Sequence, residues 1–130
     1  MREGAVAAII NFRGKILLGR KRSDSKKVLA GKWHLPGGNV GLGESDEVTL
    51  IREMREELGI LIKVNRYIAS SITPTSGKEL RWYECFCFTD RISLGDDLED
   101  AKFVQRNEVL GTCGEEVYSR WPEEVHKYFR

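Results

Sequence analysis

Hydrophobic and polar positions follow two different periods along this chain, and the changes of period mark its elements. Ala5 to Ile10 is an unbroken apolar run suited to a buried strand. Asn11-Phe12-Arg13-Gly14 reads as a hairpin turn, and Lys15 to Gly19, carrying Ile16, Leu17 and Leu18, as the returning strand. The polar, basic stretch Arg20 to Lys27 predicts a loop. Trp33-His34-Leu35 then runs into Pro36-Gly37-Gly38, a strong break that Gly41 and Gly43 prolong. Beyond it Val48, Ile51, Met54 and Leu58 recur at helical spacing and are expected to face the core. Ser45 is positioned to cap that helix, Asp46 and Glu47 suit its first turn, and Gly59 is a natural stop. Strand pattern returns in Ile60 to Ser71 and in Leu80 to Thr89, with Thr75-Ser76-Gly77-Lys78 as their connection. Leu94 to Asp100 predicts an acidic loop and Lys102 to Gln105 a short strand. Trp121 to Phe129 predicts a terminal helix with Pro122 in its first turn.

Composition narrows the class. A chain of 130 residues fits one domain, 1–130, that buries a core without covalent staples. Hydrophobic residues at 41% and charged residues at 32% describe a globular protein. With 21 basic and 20 acidic residues, bulk charge gives no reason to expect a nucleic-acid polymer or a membrane surface as partner. No apolar run approaches the roughly 18 residues that span a bilayer. Met1-Arg2-Glu3-Gly4 lacks the apolar core of a signal peptide. Cys85, Cys87 and Cys113 form neither a disulfide framework nor a zinc spacing. Inert free thiols in a reducing cytoplasm are the expectation.

The segment Gly38 to Ile60 carries the chemistry. Glu53, Glu56 and Glu57 stand at i, i+3 and i+4, so their carboxylates project from one helical face. Like charges so placed cost the bare helix a few tenths of a kcal/mol per pair. A hard divalent cation reverses that cost, because Mg²⁺ takes oxygen ligands and shares its shell with phosphates. Glu44 adds a carboxylate just before the helix, and Arg52 can pair with it. A helix rich in Glu and Arg is, taken alone, most simply a solvated face.

The spacing resembles the Nudix box, G-x5-E-x7-R-E-U-x-E-E-x-G-U with U apolar, through Gly38, Glu44, Arg52-Glu53-Met54, Glu56-Glu57 and Gly59-Ile60. Trp33 to Gly37 also resembles the usual approach to that box. The resemblance implies an α+β fold, the Nudix α/β/α sandwich, with a mixed central sheet and a loop-helix-loop. It implies hydrolysis of a pyrophosphate bond with Mg²⁺, or Mn²⁺, held by Glu53, Glu56, Glu57 and the Gly38 carbonyl. Glu44 and Arg52 become orienting residues. It also implies a general base that is either a box glutamate or an acid on a later loop, where Asp97, Glu99 and Asp100 are candidates and Asp100 is preferred. Arg20, Lys21 and Arg22 are candidate phosphate contacts, and His34 a contact to base or phosphate. Plain loop and structural roles remain open for all four. Trp33 and Trp82 suit core packing more than stacking on a base.

A small-molecule nucleotide is thus the expected substrate, with the protein a monomer or homodimer. A nucleoside triphosphate cleaved to monophosphate and pyrophosphate is the first expectation. An ADP-ribose or other nucleotide-sugar pyrophosphatase is the second, supported by Pro74 fifteen residues after Gly59. A dinucleoside polyphosphate hydrolase and a catalytically silent nucleotide-binding module are the further alternatives.

Overall fold

The computed structural model of the chain describes residues 4–74 and 76–130. Residues 1–3 and Thr75 of the expected strand connection lie outside them.

The run that opens the chain is apolar throughout because both of its faces are covered. In β1 (Ala5–Phe12), Val6, Ala8 and Ile10 enter one core with Leu17, Leu50, Met54 and Leu58. Ala7 and Ile9 enter a second core with Ile16, Leu18, Trp82, Val109, Val117, Trp121 and Val125. The sheet is therefore the middle layer, with cores on both sides. β1 turns into β2 (Lys15–Lys21) through Arg13 and Gly14, whose φ values of 50° and 80° are those of the primed turns that match strand twist.

The remaining strands are β3 (Trp33–His34), β4 (Gly37–Asn39), β5 (Ile62–Ile72), β6 (Glu79–Cys87) and β7 (Leu98–Gln105). Among the described residues they form one mixed sheet in the order β3-β2-β1-β6-β5, with β4 on β1 and β7 on β2. β1 and β6 are parallel, Ala5 opposite Leu80 through Asn11 opposite Phe86. β4 was expected as loop. Its two glycines break propensity, yet Ala5 to Ala7 pair with Asn39 to Gly37. A Cβ on Gly37 would come within 2.1 Å of the Val6 carbonyl oxygen. β7 is longer than expected and takes in Glu99 and Asp100.

Helix α1 (Asp46–Leu58) begins and ends where Ser45 and Gly59 require. Ser45 Oγ accepts from the Val48 amide at 3.2 Å, and Gly59 closes the helix at φ 65°. Its buried ridge is Leu50, Met54 and Leu58, at intervals of four, with Thr49 and Asp46 beneath. Val48, expected in the core, is 50% exposed. The i+4 ridge turns it outward, and only Ile51, Met54 and Leu58 of the expected set reach the core.

The buried Asp46 was expected only to favour the helix dipole. Instead Arg81 of β6, 1% exposed, donates to it from Nε and Nη2, both at 2.7 Å, and the Tyr83 hydroxyl donates at 2.5 Å. This clamp fixes the start of α1 to the middle of the sheet. On the opposite face lie a 3-10 turn at Arg106–Glu108 and three short helices: α2 (Val109–Cys113), α3 (Glu115–Tyr118) and α4 (Glu123–Tyr128). Only the last was expected, and Pro122 stands at its N-cap. Among the described residues no helix is long and apolar enough to cross a membrane.

Candidate active site

The loop before α1 and the helix itself are tied into one unit. Glu44 accepts from Arg52 Nε at 2.7 Å and Nη2 at 2.9 Å, from Thr49 Oγ1 at 2.8 Å and from the Gly41 amide at 3.1 Å. These donors, Arg52 first, hold the Glu44 carboxyl down at about 2. Glu44 and Arg52 thus meet as the sequence suggested, through a two-point guanidinium–carboxylate contact.

At the other end of α1 the loop that follows β6 docks on the helix. The Ser93 amide donates to Leu58 O at 3.0 Å and the Gly95 amide to Glu57 O at 2.9 Å. A Cβ on Gly95 would sit 2.3 Å from Glu56 O, so only glycine permits this approach. Two residues on, Asp97 enters the same cleft as the box glutamates.

That cleft, of about 520 Å³, has two unlike sets of lining residues. One is polar, with Gly38, Glu53, Glu57, Asp97, Lys21 and Lys27. The other is apolar, with Leu80, Trp82, Val117 and Trp121, and with Arg120 and Pro74 also on its wall. Gly38 lies so close to Glu53 that an added Cβ would meet the carboxyl carbon at 2.6 Å. Its backbone and the Glu53 carboxylate therefore face the same space.

Burial, followed by the charges of Glu53 and Asp97, pushes the Glu57 carboxyl up to about 8. Burial also raises Glu53, against the pull of Arg52. These inward carboxylates repel each other, and a cation relieves the strain. Among the described residues no three Asp, Glu, His or Cys side chains already stand in ligand geometry. The donor set nonetheless fits a hard cation: the carboxylates of Glu53, Glu57 and Asp97 line one cleft beside the Gly38 backbone, and the two glutamates are costly to leave charged and alone.

The structure separates the remaining expected residues. Glu56 turns toward solvent with its side chain 59% exposed, and Arg52 Nη1 donates to it at 3.2 Å. At about 100° per residue it lies some 60° to one side of Glu53, while Glu57 lies about 40° to the other. Asp100 is exposed and bonds its neighbour's amide, Ala101, at 2.8 Å, outside the cleft. The acid brought to the glutamates is Asp97. Arg20 pairs with Glu99 at 3.1 Å and donates to Gly31 O, and Arg22 grips Asp24 through two nitrogens. Neither lines the cleft. Lys21, between them, does, because successive strand residues face opposite sides. Of the three basic residues expected to meet phosphate, only Lys21 is so placed, and the strand alternation that singles it out was masked because the stretch read as loop. Burial, then Lys27, lowers the Lys21 ammonium. His34 lines the cleft, as do the Trp82 and Trp121 rings, the last of which drew no notice in the sequence. Burial pushes the Cys85 and Cys113 thiols up to about 12, as expected of inert core cysteines.

A strand–loop–helix bearing inward glutamates on a mixed sheet between helical layers is the architecture of one family. The model of the NUDIX domain matches residues 1–124, and the chain belongs to the NUDIX family of hydrolases. Its relatives include an Escherichia coli (strain K12) protein named CTP pyrophosphohydrolase, 47% identical over 73 residues, 56% of this chain and 53% of that one. That stretch spans about half the length of the E. coli relative. An ADP-ribose pyrophosphatase of Methanocaldococcus jannaschii is 30% identical over 126 residues, 90% of this chain and 73% of the relative. Among solved structures, a NUDIX hydrolase from Nitrosomonas europaea superposes with a TM-score of 0.80 at 16% identity, over 98% of this chain and 69% of that one.

Proposed function

We propose that the protein is a Mg²⁺-dependent nucleoside triphosphate pyrophosphohydrolase that releases a monophosphate and pyrophosphate. The observation that carries this reading is a cleft lined both by carboxylates and lysines and by indole rings. A nucleotide joins the same two characters. The likeness to the CTP pyrophosphohydrolase and to relatives named nucleoside triphosphatase, one of them 31% identical over 122 residues, supports it.

Glu53, Glu57 and the Gly38 carbonyl, joined by Asp97, are the groups that would hold Mg²⁺. When bound, the ion neutralises the polyphosphate charge and acidifies an attacking water. Glu56 joins that set only by swinging away from Arg52. Arg52 and Glu44 keep the loop and helix at fixed spacing, so the carboxylates need no rearrangement when substrate arrives. Asp97 or Glu57 accepts the water proton as the oxygen attacks phosphorus and the bridging P–O bond breaks. Lys21 and Lys27 offset the charge of the departing pyrophosphate. Trp82, Trp121 and Leu80 bury the nucleoside end.

A nucleotide-sugar pyrophosphatase is the second reading. Pro74 on the cleft wall and the M. jannaschii relative favour it. A panel of canonical and oxidised triphosphates, ADP-ribose and diadenosine polyphosphates, assayed with Mg²⁺ and product identification, separates the two. Triphosphates giving monophosphate and pyrophosphate at the highest kcat/KM are expected. ADP-ribose ahead by tenfold or more would overturn the first reading in favour of the second.

A further inference from the structure

One atom of a cleft-lining residue lacks the partner its burial demands. Among the described residues, His34 Nε2 is the buried side-chain nitrogen or oxygen without a hydrogen-bond partner. Buried polar atoms are ordinarily satisfied, so this one awaits a group the protein does not supply. Its chemical character follows from the other ring nitrogen. His34 Nδ1 lies 3.0 Å from the Leu35 carbonyl oxygen, which can only accept. Nδ1 therefore carries the hydrogen, and Nε2 presents a lone pair. Burial, with Lys21 nearby, lowers the imidazole's proton affinity and keeps the ring neutral. The ring is held by β3, where His34 pairs with Gly19 of β2, so the lone pair is aimed by the sheet and not by a mobile loop.

A neutral lone pair repels phosphate oxygens and accepts from N–H or O–H. On the nucleotide reading, which this inference rests on, such donors belong to the nucleoside: an exocyclic amine of the base or a hydroxyl of the ribose. We infer that His34 is a specificity-determining residue whose Nε2 accepts a hydrogen bond from a donor on the nucleoside, and that it does not contact the phosphates. A base carrying a carbonyl where another carries an amine turns an acceptor toward this acceptor, leaving both unsatisfied.

The test compares substrates that differ by one donor. CTP against UTP exchanges an amine for a carbonyl, and CTP against dCTP removes the 2′-hydroxyl. One of the two pairs should differ by about tenfold or more in kcat/KM, the size expected for one neutral hydrogen bond and its unsatisfied counterpart. His34→Leu should abolish that ratio while His34→Gln, whose side-chain carbonyl also accepts, should keep part of it. Equal losses on all substrates in His34→Leu, or an unchanged ratio, would overturn the inference.

A second measurement stands apart from turnover and from any folding defect in the variants. The chain has two histidines, His34 and His126, so ¹⁵N-histidine labelling resolves the His34 ring in the wild type. Nε2 should resonate as an unprotonated nitrogen and move on saturation with CMP but not with inorganic pyrophosphate. If no triphosphate is hydrolysed, the proposed function fails, and this spectrum still decides the role of His34. A resonance unmoved by CMP, or one moved by pyrophosphate alone, refutes it.

Discussion

Replacing Arg81 by methionine tests how much of the site depends on the clamp beneath it. Arg81 gives Asp46 two charge-assisted hydrogen bonds of 2.7 Å, and both side chains are buried, 1% and 6% exposed. Methionine fills much of the same space but strips a buried carboxylate of both guanidinium donors while the Tyr83 hydroxyl stays. Breaking a buried pair from one side costs about 3–5 kcal/mol. For a chain of 130 residues, unfolding entropy of about 2 cal/mol/K per residue converts that to a fall in Tm of roughly 10–18 °C. Urea unfolding followed by tryptophan fluorescence measures the loss. Removing both charges with Asp46→Leu and Arg81→Met together should restore much of it, since two apolar groups leave no fully buried charge alone. A loss under about 1 kcal/mol for Arg81→Met, or additive losses in the double variant, would refute the clamp. Activity should fall with stability in the single variant, because α1 carries Glu53 and Glu57.

Three further outcomes follow from the site. Glu57→Gln should lower kcat by at least about a hundredfold with cooperative unfolding retained, while Glu56→Gln, altering an exposed carboxylate, should lower it less; steady-state kinetics at saturating Mg²⁺ check both. In the metal-free protein Glu57 holds its proton up to about 8, whereas the unfolded chain releases it near 4.5, so stability should fall as pH rises between those values and level off above. Mg²⁺ binding near pH 7 should then release a proton, read by calorimetry in buffers of different ionisation enthalpy, and chelation should restore the pH dependence. Lys21→Ala should raise KM for triphosphates several-fold and Arg22→Ala, whose guanidinium is taken by Asp24, should leave it nearly unchanged.

The box was legible because its chemistry is local. A cap, a stop and carboxylates at fixed helical spacing are all set within Ser45 to Gly59. The bracing of Glu44 by Arg52 was equally readable, since loop and helix are adjacent in sequence. What escaped depends on tertiary partners. Arg81 in a strand reads as a solvent-facing residue, and its buried partner Asp46 lies thirty-five positions away. Val48 and Leu50 are equally apolar, and the angle at which α1 meets the sheet chose Leu50. Gly37 and Gly38 read as pure breakers because their use, close backbone approach to Val6 and Glu53, has no trace in propensity. Asp100 lost to Asp97 because strand β7 begins at Leu98 and draws Asp100 into its ladder opposite Arg20. The helices between Val109 and Tyr118 are too short for a period to register.

The parallel pairing of β1 with β6 sets an order of assembly. The β1–β2 hairpin, α1 and the antiparallel β5–β6 pair each close over short stretches of chain. Joining Ala5 to Leu80 closes a loop of about 75 residues, at an entropic cost of roughly 4 kcal/mol that no local contact offsets in advance. The cleft takes walls from both sides of that seam, Val6 and Ala7 on one and Leu80 and Trp82 on the other. A refolding chain is expected to regain its helix before its cleft. A complete cleft therefore depends on a pairing between distant parts of the chain, and the half-made sheet offers only one of its walls.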